Sequence, residues 1–148
     1  MKHIARGLIV LIWVVGSLVA CAPGAGDGAA LAEKTWHLVS YGAPDAPQAV
    51  LDGSEITLSF DDDESQIGGR AGCNHYFGSY EIKGEGLSIG AIGITEMACM
   101  SPEGVMEQEQ TYVAALSSAS RYEVQADQLR ITGADGQVLV FRATDAGS

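Results

Sequence analysis

The chain has 148 residues, of which 47% are hydrophobic, and a formal net charge of −11. This length and apolar content fit a single domain with one core. The negative charge argues against nucleic-acid binding, because the chain has no basic stripe to neutralise phosphates. It also argues against a surface that adheres to anionic lipid headgroups, so any membrane attachment has to be covalent or hydrophobic.

The first twenty residues have the form of a secretory signal peptide. Lys2 and Arg6 precede an uncharged apolar run over residues 7–20. A bilayer span takes about 20 apolar residues, so an uncleaved amino-terminal anchor is the less favoured alternative. We therefore predict a signal peptide at residues 1–20. Its removal takes away these two positive charges and changes the net charge from −11 to −13.

The sequence Leu18-Val19-Ala20-Cys21 resembles the lipobox of bacterial lipoproteins. The resemblance implies cleavage after Ala20 and lipidation of Cys21 with acyl chains such as palmitate. Several chains anchor firmly, since each buried CH₂ contributes about 0.8 kcal/mol. In the Gram-negative lipoproteins that this resembles, aspartate after the cysteine favours the inner membrane, and Ala22 stands there instead. We therefore expect an outer-membrane lipoprotein facing the periplasm.

Small residues dominate the segment after Cys21. Residues 21–33 carry too little apolar surface to offset the cost of ordering, so we predict a lipidated cysteine followed by a flexible tether. The folded domain is expected to begin near Leu31 or Lys34 and is assigned to residues 34–143, and residues 144–148 are expected to fray.

The domain opens with strand patterns. Residues 35–41 are rich in aromatic and branched side chains, and residues 42–53 read as a loop. The next strand alternates, which places Ile56, Leu58 and Phe60 on one buried face.

Two features of this region could suggest a metal. His37 stands alone on a strand, where a surface role is far more common than a ligand role. The four carboxylates of residues 61–64 lack the staggered oxygens, the glycine and the distant glutamate of a calcium loop. A solvated hairpin turn is the better interpretation, and no metal site is predicted.

A sharp corner follows within residues 68–80. Gly72 tolerates positive φ, and Asn74 is an asparagine, the non-glycine residue that best tolerates the left-handed region. Together they predict a structural corner between two strands. Cys73 lies at this corner, and Cys99 lies just before a helical pattern, which suggests that the two cysteines meet.

The second half of the chain predicts hairpins and one helix. Residues 84–86 join two strands, and the glycines of residues 90–95 suggest a bulge. Ser101, Pro102 and Glu103 carry helix-start signals. The apolar face of this amphipathic helix comprises Val105, Glu109, Tyr112, Leu116 and Ala119, with Glu109 as its odd member. Short strands are expected at residues 121–125, 129–132 and 138–141.

Several of these pieces, in this order, resemble the META domain of HslJ-like bacterial lipoproteins. They are Trp36-x-Leu38, Gly72-Cys73-Asn74, Met97-Ala98-Cys99, Glu109-x-x-Tyr112 and the closing Leu139-x-Phe141. The resemblance implies an α+β domain, with an antiparallel, barrel-like β-sheet and one amphipathic helix, in envelope proteins linked to heat shock or stress. It brings no catalytic residues and no cofactor.

The cysteine count supports a disulfide. The chain has three cysteines. With Cys21 assigned to lipid, Cys73 and Cys99 remain as an even pair in an oxidising compartment. Two buried free thiols are the alternative, because free cysteine packs as a small apolar residue.

Three classes of function remain open. The first is a noncatalytic envelope lipoprotein that binds a protein partner. The second is a carrier or sensor of a small apolar ligand or lipid within a barrel-like cavity. The third is an enzyme with Cys73 as thiol and His75 as base, which a disulfide to Cys99 would exclude.

Overall fold

A computed structural model describes residues 29–32 and 34–145. A helical turn, α1 (Ala29–Ala32), precedes the strands. The elements that follow are β1 (Lys34–Ala43), β2 (Ala46–Ala49), β3 (Thr57–Asp61), β4 (Gln66–Arg70), β5 (His75–Lys83), β6 (Gly86–Ile94), α2 (Val105–Ser117), β7 (Ala119–Gln125), β8 (Gln128–Gly133) and β9 (Val138–Asp145).

Eight of the strands form a closed antiparallel barrel. Strands β3 to β9 pair in chain order, and β1 closes the ring because it pairs with β3 on one side and β9 on the other. Strand β2 adds to the later half of β1 and stands outside the ring. The predicted α+β class, with a barrel-like antiparallel sheet and one amphipathic helix, is confirmed.

Large side chains fill the barrel interior. Trp36, Tyr112 and Phe141 are fully buried, and the rings of Tyr112 and Phe141 pack edge to face with centroids 6.4 Å apart. The predicted inward face of Ile56, Leu58 and Phe60 is buried as well. Successive side chains of a strand point to opposite faces, so a buried face at every second residue could be predicted from the sequence.

Helix α2 begins later than predicted. The start signals at Ser101 and Pro102 are followed by Gly104, whose φ of 85° is left-handed, so helical geometry first appears at Val105. The predicted inward face is correct for Val105, Glu109, Tyr112 and Leu116, which are all buried. Its last member, Ala119, lies in β7 instead, because the helix ends at Ser117.

The packed domain is also longer than predicted at both ends. Leu31, placed in the predicted tether, is fully buried, and its carbonyl accepts a 3.1 Å hydrogen bond from Trp36 Nε1. Thr144 pairs with Thr35, so β9 continues to residue 145, where fraying was predicted. In each case backbone hydrogen bonding or burial of one apolar side chain offsets the cost of ordering, which composition alone does not indicate.

The predicted signal peptide, the lipidation site Cys21 and tether residues 21–28 lie outside the described residues. Within residues 29–32 and 34–145, no helix has the length and apolar character needed to cross a membrane.

Candidate functional site

The predicted corner lies between β4 and β5, and its geometry requires glycine. Gly72 has a φ of 108°. A Cβ there would lie 3.1 Å from Ser54 Oγ and 3.2 Å from a Val105 methyl group, closer than most real contacts. The corner is closed by a 2.8 Å hydrogen bond from the Ala71 amide to the Asn74 carbonyl. Gly72 therefore lets the chain turn while it packs against the start of α2.

Asn74 joins this corner to α2 through a buried carboxylate. Its amide N–H donates to Glu109 Oε2 and its side-chain Nδ2 donates to Glu109 Oε1, both at 2.7 Å. Asn74 is 2% exposed and Glu109 is 5% exposed. Both carboxylate oxygens are thus satisfied away from water, as a buried charge requires.

The same asparagine also fixes the segment after β6. Its Oδ1 accepts hydrogen bonds from Thr95 Oγ1 at 2.9 Å and from the Met97 amide at 2.7 Å. Its Nδ2 donates a further 3.1 Å bond to the Met97 carbonyl. One side chain therefore holds three separate parts of the fold together.

Cys73 and Cys99 form a disulfide at this corner, as predicted. Their Cα atoms lie 5.8 Å apart. The bond occupies the Cys73 sulfur, so the proposed thiol and base pair of Cys73 and His75 has no thiol in the oxidised protein. The side chain of His75 is exposed on the outside of the barrel.

Gln108, which the sequence analysis did not single out, forms a second link to α2. Its Oε1 accepts from the Leu51 amide and its Nε2 donates to Ser54 Oγ, each at 2.7 Å. Gln108 is buried beside Glu109. The sequence signal for this link is a second polar residue, Gln108, next to Glu109 at the edge of an apolar helical face.

A tyrosine pair lies beneath the corner. Tyr76 donates its hydroxyl proton to the Thr57 carbonyl at 2.8 Å, so Tyr112 is the donor in the 2.7 Å hydroxyl contact between the two tyrosines. Burial raises the pKa of both Tyr76 and Tyr112 above the usual value. These hydroxyls serve as neutral structural groups.

The outer surface around the corner exposes large apolar side chains. Phe77 is 63% exposed, Met97 is 51% exposed and Met100 is 95% exposed. The Phe77 ring covers Gly93 on the neighbouring strand, where an added Cβ would lie 2.6 Å from the ring. We call Phe77, Met97 and Met100 the corner patch, because all three belong to segments that meet at the corner: Phe77 follows it in β5, Met97 is hydrogen-bonded to Asn74, and Met100 follows the disulfide-bonded Cys99.

No metal centre is visible in the part of the chain that the structure describes, since no three His, Cys, Asp or Glu side chains are suitably grouped. Of the acidic residues 61–64, Asp61 ends β3 and the other three lie in the exposed turn to β4, where the Glu64 amide donates to Asp61 Oδ1 at 3.1 Å. His37 Nδ1 lies 3.7 Å from a Glu55 oxygen. These residues have structural and surface roles.

The family model for the META domain matches residues 29–146. The chain belongs to the META domain family. The match begins at the first residue of α1, in agreement with the burial of Leu31, and it confirms the family suggested by the sequence motifs. META domains and their structural neighbours are not known enzyme families, and the barrel fold fits a noncatalytic envelope protein.

Solved structures share the fold of this META domain. A protein from Burkholderia xenovorans, determined by NMR, is 32% identical, with a TM-score of 0.66 over 90% of this chain and 99% of that chain. A second NMR structure is 20% identical, with a TM-score of 0.62 over 82% and 98% of the two chains. A DUF4847 family protein from Bacteroides vulgatus is 14% identical, with a TM-score of 0.54 over 79% and 96%. No curated protein matches the chain.

Proposed function

We propose that this protein is a noncatalytic, stress-linked lipoprotein of the outer membrane whose META domain binds a protein partner in the periplasm. The observation that carries the proposal is the corner patch. Three large apolar side chains face solvent there, next to a disulfide and a buried hydrogen-bond network. Exposed apolar clusters on otherwise well-packed domains are typical of interaction sites.

The fixed backbone beneath the patch supports binding. Met97 is held at both its amide and its carbonyl by Asn74, and Cys99 is tied to Cys73. A preorganised surface loses little conformational freedom on association, so more of the contact energy contributes to affinity.

The alternative of an apolar ligand inside the barrel has less support. The interior space is occupied by buried side chains, including Trp36, Leu58 and Phe141. A ligand would have to displace them. Native mass spectrometry of protein extracted from envelopes tests this alternative, because a retained lipid or small molecule would add a defined mass.

Membrane attachment is proposed to depend on Cys21. Cells that make the full-length chain and are fed a clickable fatty acid are expected to label it, and Cys21→Ser is expected to abolish the label and release the domain from membranes. The stress link is tested by the amount of the protein after a temperature upshift, which is expected to rise. Unchanged fractionation of Cys21→Ser would contradict the lipoprotein assignment.

Partner binding is tested by photo-cross-linking in living cells. A photoreactive amino acid is placed in turn at Met100, Asp52 and Gln125, which sample separate exposed surfaces. Protein adducts from at least one position are expected. If no position gives a protein adduct, the protein-binding function is wrong.

A further inference from the structure

We infer that the corner patch binds a basic protein segment, in which an apolar side chain lies beside lysine or arginine. This inference rests on the proposed partner-binding function and adds the chemistry of the partner. It follows from the charges around the patch, the closed strands beneath it and the fixed backbone of the segment that carries its two methionines.

Carboxylates border the apolar side chains along the chain. Glu96 precedes Met97, Glu103 follows Met100 by three residues, and Glu107 lies in the first turn of α2. All three glutamates are exposed. Over the described ranges, none of them has a lysine, arginine or histidine within ion-pair distance.

Three of the lysine and arginine side chains on the surface already have carboxylate partners. Lys83 lies 2.9 Å from Glu81, and Arg142 lies 3.2 Å from Asp127. Arg70 pairs with His75 in the β4–β5 register, but its guanidinium is directed to Glu55 at 3.8 Å. Because Glu96, Glu103 and Glu107 have no ion pair among the described residues, they are available to cations of a partner, and opposite charge steers association.

These charges favour a protein over the membrane. Exposed phenylalanine and methionine could enter a lipid interface, but anionic headgroups repel three uncompensated carboxylates. A basic protein segment fits both the exposed apolar side chains and the unpaired carboxylates. Its apolar side chain packs on the adaptable methionines, and its cations pair with the glutamates.

The mode of contact follows from the closed sheet. Phe77 lies in β5, which pairs with β4 on one side and β6 on the other. The patch thus offers no free strand edge, and recognition proceeds through side chains and not through strand addition. Thr95 also donates its amide to the His75 carbonyl at 3.0 Å, which fixes the segment that carries the methionines.

The test uses the full-length chain in cells with the photoreactive amino acid at Met100. The cross-linked partner peptide is expected to contain lysine or arginine next to an apolar residue. Combined Glu96→Lys and Glu103→Lys is expected to lower the adduct yield by about fivefold or more, because like charges then face each other. The matched control, Asp63→Lys with Glu64→Lys, makes the same charge change in the turn between β3 and β4 and is expected to leave the yield within about twofold.

Each other outcome overturns the inference. These outcomes are an adduct with phospholipid, with a second copy of this chain or with an acidic segment, and a yield that the Glu96 and Glu103 reversals do not lower. Protein adducts only from Asp52 or Gln125 would leave the partner-binding function in place while the corner patch is excluded. Thermal melting of each purified variant confirms that a lost adduct is not caused by unfolding.

Discussion

Replacement of Asn74 by alanine is expected to be strongly destabilising. The side chain makes four hydrogen bonds, two as donor to Glu109 and the Met97 carbonyl, and two as acceptor from Thr95 and the Met97 amide. A typical bond contributes about 1 kcal/mol net, and one to a charged group about 1.5 to 3 kcal/mol. The buried carboxylate also loses one of its two donors. The expected loss is therefore about 3 to 5 kcal/mol, a large part of a typical domain stability of about 5 to 15 kcal/mol.

The loss is measured by urea unfolding of the oxidised domain, followed by far-ultraviolet circular dichroism. Gln110→Ala is the control, since Gln110 is an exposed amide side chain in α2 next to Glu109, and its removal should change stability by no more than about 0.5 kcal/mol. A double-mutant cycle with Glu109→Ala isolates the coupling between the two side chains, which is expected to be about 1.5 to 3 kcal/mol. A cost below about 1 kcal/mol for Asn74→Ala, or additive single effects, would refute the role assigned to the network.

Three further predictions follow from the described geometry and the amino-terminal motif. The double variant Cys73→Ala, Cys99→Ala is expected to lose about 3 to 4 kcal/mol of unfolding free energy in the chain-entropy model, because the disulfide closes a loop with a sequence separation of 26. An unchanged melting temperature would contradict this. Tyr76 and Tyr112 ionise near pH 10 in the unfolded chain, and burial raises the pKa of both in the folded domain. Their contribution to the free energy of unfolding is therefore fully present below pH 10. Above pH 10 the free energy of unfolding should fall by up to about 1.4 kcal/mol per pH unit for each tyrosine. Urea midpoints at pH 8 and 11 measure this, and equal midpoints would exclude it. Cys21→Ser is expected to move the protein from membrane to soluble fractions, and its retention would contradict lipid anchoring.

The strands with clear alternation, most of the buried face of the helix and the family could be predicted from the amino-acid sequence. Leu58 and Phe60 could be placed inward because the side-chain period of a strand is two. The disulfide could be predicted from parity, since two cysteines remain once Cys21 is set aside. Gly72 marked the corner because few other residues accept its positive φ, whereas Asn74 does not take the expected left-handed conformation and acts through its side-chain hydrogen bonds.

Other features depended on tertiary contacts. The closure of the barrel by β1 and β9 joins segments about a hundred residues apart, and no local pattern records which strands meet. Leu31 became part of the core because Trp36 lies beside it, although its neighbours in sequence are small residues. Strand β2 was missed because its four residues are all exposed and include Pro47.

The candidate site also combines residues that could be predicted from the sequence with contacts that depend on the fold. Phe77, Met97 and Met100 are ordinary apolar residues in sequence, and they become an exposed patch because the barrel turns one outward and the disulfide segment holds the others at the surface. Glu109 appeared as a misplaced charge on an apolar helical face. Only the fold brings Asn74 to it, because hydrogen-bond partners 35 residues apart are chosen by packing geometry and not by local sequence.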